Sequence, residues 1–109
     1  MQIRQLDKLP YHFLVTRSGR LLSLKPVCPT DFIVEVAWLG GLDRHGRHVD
    51  NRTEQQNETL FTTLVLLSEQ FGTAKIVGAD ELYVYGYANP GFDVKEWLHS
   101  YIPAFLLAA

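Results

Sequence analysis

The chain has 109 residues, of which 47% are hydrophobic, 12% aromatic and 20% charged, with a formal charge of −2. This is too apolar and too weakly charged for a disordered chain, and no apolar run approaches the roughly 18 residues needed to cross a bilayer. A single cysteine, Cys28, cannot close an internal disulfide, so a small secreted scaffold is not expected. The opening Met1-Gln2-Ile3-Arg4-Gln5 has no long apolar stretch behind it and does not read as a secretion signal. The expectation is one cytoplasmic domain spanning residues 1–109, with no membrane partner.

The first predicted strand is Tyr11-His12-Phe13-Leu14-Val15-Thr16, rich in aromatic and β-branched residues. Ser18-Gly19 supplies a turn, and Leu21-Leu22-Ser23-Leu24 returns as a second strand. Pro26 and Pro29 interrupt the ladder, because proline donates no hydrogen bond, so residues 25–30 are read as a loop. Phe32–Leu39 is the strongest strand pattern. Phe32, Val34, Val36 and Trp38 share one face, which is predicted to be core. On the other face Glu35 implies water or a partner. Asp43-Arg44-His45-Gly46 has the chemistry of a type I turn closed by glycine. Arg47-His48-Val49-Asp50 is expected to pair back as a short strand.

A helix is predicted over 52–71, with Asn51 as its cap and Glu54 reaching back. Leu60, Phe61, Leu64, Leu67 and Phe71 form its apolar stripe, and Gly72 ends it. Ala74-Lys75-Ile76-Val77 reads as a short strand and Ala79-Asp80-Glu81 as a turn. Leu82–Tyr87 alternates, placing Tyr83, Tyr85 and Tyr87 on one face. Asp93-Val94-Lys95-Glu96 opens a short helix carrying Trp97 and Tyr101, ended by Pro103. The fold class is therefore α+β: a mainly antiparallel sheet of about five or six strands, one long helix on a face, and a short C-terminal helix.

Charge is unevenly distributed. Residues 1–52 hold eight Lys and Arg against five Asp and Glu; residues 53–109 hold two against seven. Arg17, Arg20, Arg44, Arg47 and Arg52 are candidate anion-binding residues, since the guanidinium fork suits carboxylate or phosphate. Nucleic acid remains a minor alternative partner, because a sequence pI near 6.0 falls short of the usual basic footprint.

Asp43, His45, His48 and Asp50 are all metal-binding or acid–base residue types. Turn chemistry accounts for them, and neither a cysteine pair nor a helical His-x-x-x-His is present. Cys28 has no activating neighbour in sequence. Gly40-Gly41 lacks the rest of a nucleotide loop. No catalytic residue, metal or cofactor is assigned, and the reading leans away from an enzyme. A runner-up is a small enzyme or ligand-binding domain with a pocket between sheet and helix, using His12, Glu35, His48 and Asp50. Tyr83, Tyr85 and Tyr87 suit a protein interface, and so does the apolar Phe105 and Leu106 segment near the end. The leading expectation is a non-enzymatic interaction module that binds another protein or copies of itself, such as an adaptor or inhibitor of the kind encoded by mobile elements.

Val34-Glu35-Val36, Leu42-Asp43, Gly46, Val49-Asp50 and the helix from Arg52 also form a recognisable order. Residues 32–52 resemble a segment of the tetrahydropterin-synthase-like family, whose fold is called the T-fold. The family's enzymes carry a His-x-His zinc pair just before the long strand. Here Pro29-Thr30-Asp31 stands in that place, so zinc and pterin chemistry is not carried over. The resemblance implies a scaffold that forms rings of subunits through sheet edges.

Overall fold

A computed structural model describes residues 11–31, 33–72, 75–82 and 90–103. Three strands and three helices follow in the order β1 (Phe13–Val15), β2 (Leu21–Ser23), β3 (Val36–Trp38), α1 (Glu54–Gln70), α2 (Ala79–Leu82) and α3 (Val94–Ser100). The architecture is α+β, but the expected antiparallel sheet of five or six strands is not what the described residues form. They form a three-stranded mixed sheet of order β2-β1-β3.

The β1–β2 hairpin is antiparallel, with Leu14 opposite Leu22. β3 joins the other edge of β1 in parallel, with Leu14 opposite Ala37. A parallel pairing needs a crossover rather than a tight turn. The proline-interrupted stretch 24–35 supplies it.

Of the strand predicted over 32–39, Phe32 lies outside the described residues, and within 33–39 only Val36–Trp38 is strand, because the ladder changes partners at Glu35. The Glu35 carbonyl accepts both the His12 N–H at 2.9 Å and the Phe13 N–H at 3.1 Å. The Glu35 N–H goes to a side chain, the His12 ring, at 3.1 Å. The predicted strand over 47–50 is reduced to a single bridge between Leu42 and His48. Gly40 and Gly41, with φ +135 and +90, turn the chain sharply just before that hairpin. A Cβ at Gly40 would collide with the Arg17 guanidinium and the Trp38 ring, so glycine is required there on two counts. Residues 75–77 are not strand, and Ala79–Leu82 forms one helical turn where the sequence predicts a plain turn over 79–81 and a strand from Leu82. Tyr83, Tyr85, Tyr87, Phe105 and Leu106 lie outside the described residues.

α1 packs across β1 and β3. The core is Val15, Leu60 and Trp97, with Val36, Trp38, Phe61, Leu64, Phe92, Leu98 and Tyr101 around it. Val15 and Leu14 alternate in direction along β1, yet both are buried, at 0% and 7% exposure. The sheet is therefore covered on both faces at its central strand. Among the described residues, no helix is long and apolar enough to cross a membrane.

Candidate functional site

The start of α1 is the most heavily bonded polar region. Thr53, not Asn51, is the N-cap. Its hydroxyl accepts the Gln56 N–H at 3.1 Å, and the Gln56 side chain accepts the Thr53 N–H at 3.0 Å. Both Asn51…Glu54 and Thr53…Gln56 fit the capping-box spacing. Tertiary contacts choose the second. Asn51 is occupied elsewhere, accepting the Gly41 N–H at 2.8 Å and donating to the Leu42 carbonyl at 3.1 Å.

Gln56 is completely buried. Its amide donates to the carbonyls of Val15 at 3.3 Å and Leu39 at 2.7 Å, and its oxygen also accepts from Arg17 at 3.1 Å. All four hydrogen-bonding positions of the amide are thus used. Arg17 further donates to Asn51 and to the Leu39 carbonyl, each at 3.3 Å. Arg17 was read as an anion-binding candidate, but in the fold its donors tie β1, the β3 exit and α1 together.

Arg52 is likewise committed to neighbours. It donates twice to Asp50 at 2.8 Å and once to Asn57 at 2.9 Å. Its guanidinium lies 3.4 Å from the Phe92 ring centre and 5.3 Å from that of Trp97. The Arg52 side chain is only 9% exposed. Its donation to Asp50 holds that carboxyl below the usual carboxylate range. Trp97 stacks on Tyr101 at 5.3 Å and meets Phe61 and Phe92 edge-on. The Trp97 indole N–H is buried without an acceptor among the described residues. The Tyr101 hydroxyl donates to Glu54 at 2.9 Å. Burial, then Glu54, pushes its phenol pKa upward.

Of the runner-up residues His12, Glu35, His48 and Asp50, the structure brings His12 and Glu35 together, while His48 and Asp50 bond elsewhere. His12 is buried, with Nε2 3.2 Å from Asp31 Oδ2. Its Nδ1 accepts the Glu35 N–H. The tautomer protonated at Nε2 satisfies both bonds, so each ring nitrogen is engaged within the fold. The Cys28 N–H at 2.8 Å, joined by His12, holds the Asp31 carboxyl below its ordinary range. Cys28 itself is exposed. His48 sits on the exposed 41–49 hairpin, and Asp50 belongs to Arg52.

In that hairpin Asp43 organises the turn as the sequence predicts. Its carboxylate accepts the N–H groups of His45 at 2.8 Å and Arg47 at 3.0 Å, and Gly46 has φ +74. The Arg47 backbone bond, then those from His45 and the Arg47 side chain, lower the Asp43 pKa. Arg44 donates to the His45 ring at 3.4 Å. Among the described residues no three His, Cys, Asp or Glu side chains gather as a metal site. Arg20 makes no ion pair with a described residue.

A cavity of about 390 Å³ lies between α2 and the start of α3, lined by Asp80, Glu81, Gly91, Phe92, Asp93 and Val94. Two of its carboxylates already serve the backbone. Glu81 accepts the Gly78 N–H, and Asp93 caps α3 through the Glu96 N–H.

What the described residues leave open is apolar. Leu21, Ile33, Leu39, Leu42, Leu66, Val77 and Ile102 are 39–59% exposed. Sequence reasoning did not single them out, although Leu66 falls outside the predicted α1 stripe and Leu39 lies on the strand face that carries Glu35. The hairpin glycines beside Leu39 and Leu42 were the available signal. Comparison with family models found no match, and comparisons with curated proteins and with solved structures found none either.

Proposed function

We propose that this chain is a non-enzymatic protein-interaction module that associates with copies of itself, acting as an adaptor or inhibitor. One observation carries the reading: Leu39 and Leu42 stand 44% and 53% exposed on either side of Gly40-Gly41. Scattered exposed leucines are ordinary. Two so close in sequence, one at the exit of β3 and one on the hairpin, leave apolar surface that is stabilised when a partner covers it. The polar residues support the same reading, since Arg17, Arg52, Gln56 and His12 bond to the protein itself.

The test is sedimentation velocity of the purified chain across the micromolar range. A mass that rises with concentration is expected. A monomer throughout overturns the proposal.

A further inference from the structure

Resting on that reading, we infer that the contact is head to tail: the Leu42–His48 hairpin of one copy docks on the outer face of α1 in a second copy. The hairpin offers Leu42, with Leu39 just before the Gly40-Gly41 turn and Arg44 two residues after Leu42 in sequence. Within 39–48, Asp43 is matched by Arg47 at 3.0 Å, so Arg44 leaves this segment with a net positive charge. The outer face of α1 is the complement. Leu66 is 59% exposed, the most of any large apolar residue among those described. Glu69 follows it by three residues and so lies on the same side of the helix. The 17 residues of α1 include Glu54, Glu58 and Glu69 and no Lys or Arg.

The two surfaces cannot meet within one chain. Asn51 fastens the hairpin beside the start of α1 through Gly41 and Leu42. Leu66 lies about 18 Å further along the helix at 1.5 Å per residue. Each copy therefore presents both halves of a complementary pair, and joining them builds a heterologous contact that closes into a ring or extends as a chain. Apolar anchors at the centre hold the contact, while Arg44 and Glu69 set its register and speed.

The experiment is sedimentation velocity of the whole chain with the variants Leu42→Asp and Leu66→Asp, alone and mixed. Each variant alone is expected to lose self-association, with affinity weakened roughly tenfold or more. Their equimolar mixture is expected to form a 1:1 dimer and nothing larger, because each retains the half the other lacks. Both leucines are exposed, so each variant is expected to keep the wild-type thermal melt. Should either fail to fold, the charge pair decides: Arg44→Glu weakens association, and adding Glu69→Arg restores it. Wild-type association that neither leucine change nor the charge reversal disturbs overturns the head-to-tail contact while leaving self-association standing. Wild-type protein that stays monomeric overturns both.

Discussion

Two aspartate–arginine pairs lie within ten residues of each other, and the fold uses them in opposite ways. Asp50 and Arg52 meet at 2.8 Å with the arginine side chain 9% exposed, and Asp43 and Arg47 meet at 3.0 Å with the arginine 73% exposed. Arg52 is laid over Phe92 beside Trp97, where its stem and planar head fill space between α1 and α3. Arg47 closes a turn that the Asp43 backbone bonds already define. The same chemical pair is thus a packing element at the helix junction and a decoration on the hairpin. What separates them is whether an aromatic surface waits beneath the guanidinium.

The sharpest way to break the junction is to remove that surface. Trp97→Ala is expected to lose about 3–5 kcal/mol, the usual range for deleting a buried aromatic. That is a large part of the roughly 5–15 kcal/mol that holds a small domain. Chemical denaturation reads it directly. Retention of wild-type stability would show that the Phe61, Phe92 and Tyr101 cluster closes without its centre.

Gln56→Leu comes next, at about 2–3 kcal/mol. The leucine fills the space but strands the Thr53 N–H and removes one of the two donors from each of the Val15 and Leu39 carbonyls, which keep the Leu39 N–H and Arg17 respectively. A buried backbone group left unpaired costs about 1–3 kcal/mol. An unfolding midpoint equal to wild type would mean that water replaces the amide.

Arg52→Lys keeps the charge and loses the fork and the stacking plane, so about 1–2 kcal/mol is expected. This variant sharpens the comparison, because a mere ion pair would survive it.

Acid probes the same pair more gently. Hydrogen bonding from Arg52 holds the Asp50 carboxyl below the usual carboxylate range in the folded protein. Its contribution is therefore complete above the unfolded value and is lost as pH falls through the folded one. Thermal melts are expected to show Asp50→Asn less stable than wild type at neutral pH, with the gap closing below about pH 4. A gap independent of pH would remove the carboxylate from the account.

Much of the local structure was legible in the residues. The Asp43–Gly46 turn, the α1 stripe at Leu60, Phe61 and Leu64, and the Asp93 cap all depend on neighbours a few positions away. The parallel placement of β3 was not legible, because nothing in Val36-Ala37-Trp38 says which edge of β1 it will meet. Nor was the role of Arg17, whose donors reach residues far along the chain at Leu39, Asn51 and Gln56. Two capping boxes were written two residues apart. Only the buried carbonyls of Val15 and Leu39 select the one that ends in Gln56.

The smallest effect completes the contrast. Arg47→Ala is expected to change stability by less than about 0.5 kcal/mol, since exposed pairs contribute little in water and screening salt reduces them further. Asp43→Ala at the other end of the same ion pair is expected to cost more, because two backbone N–H groups lose their acceptor along with the arginine. If the two substitutions cost the same, the ion pair rather than the turn holds the hairpin. Unequal costs, with aspartate the larger, leave the Arg47 head free to move in solvent while Leu42 and Arg44 stay fixed in place on a turn that does not need it.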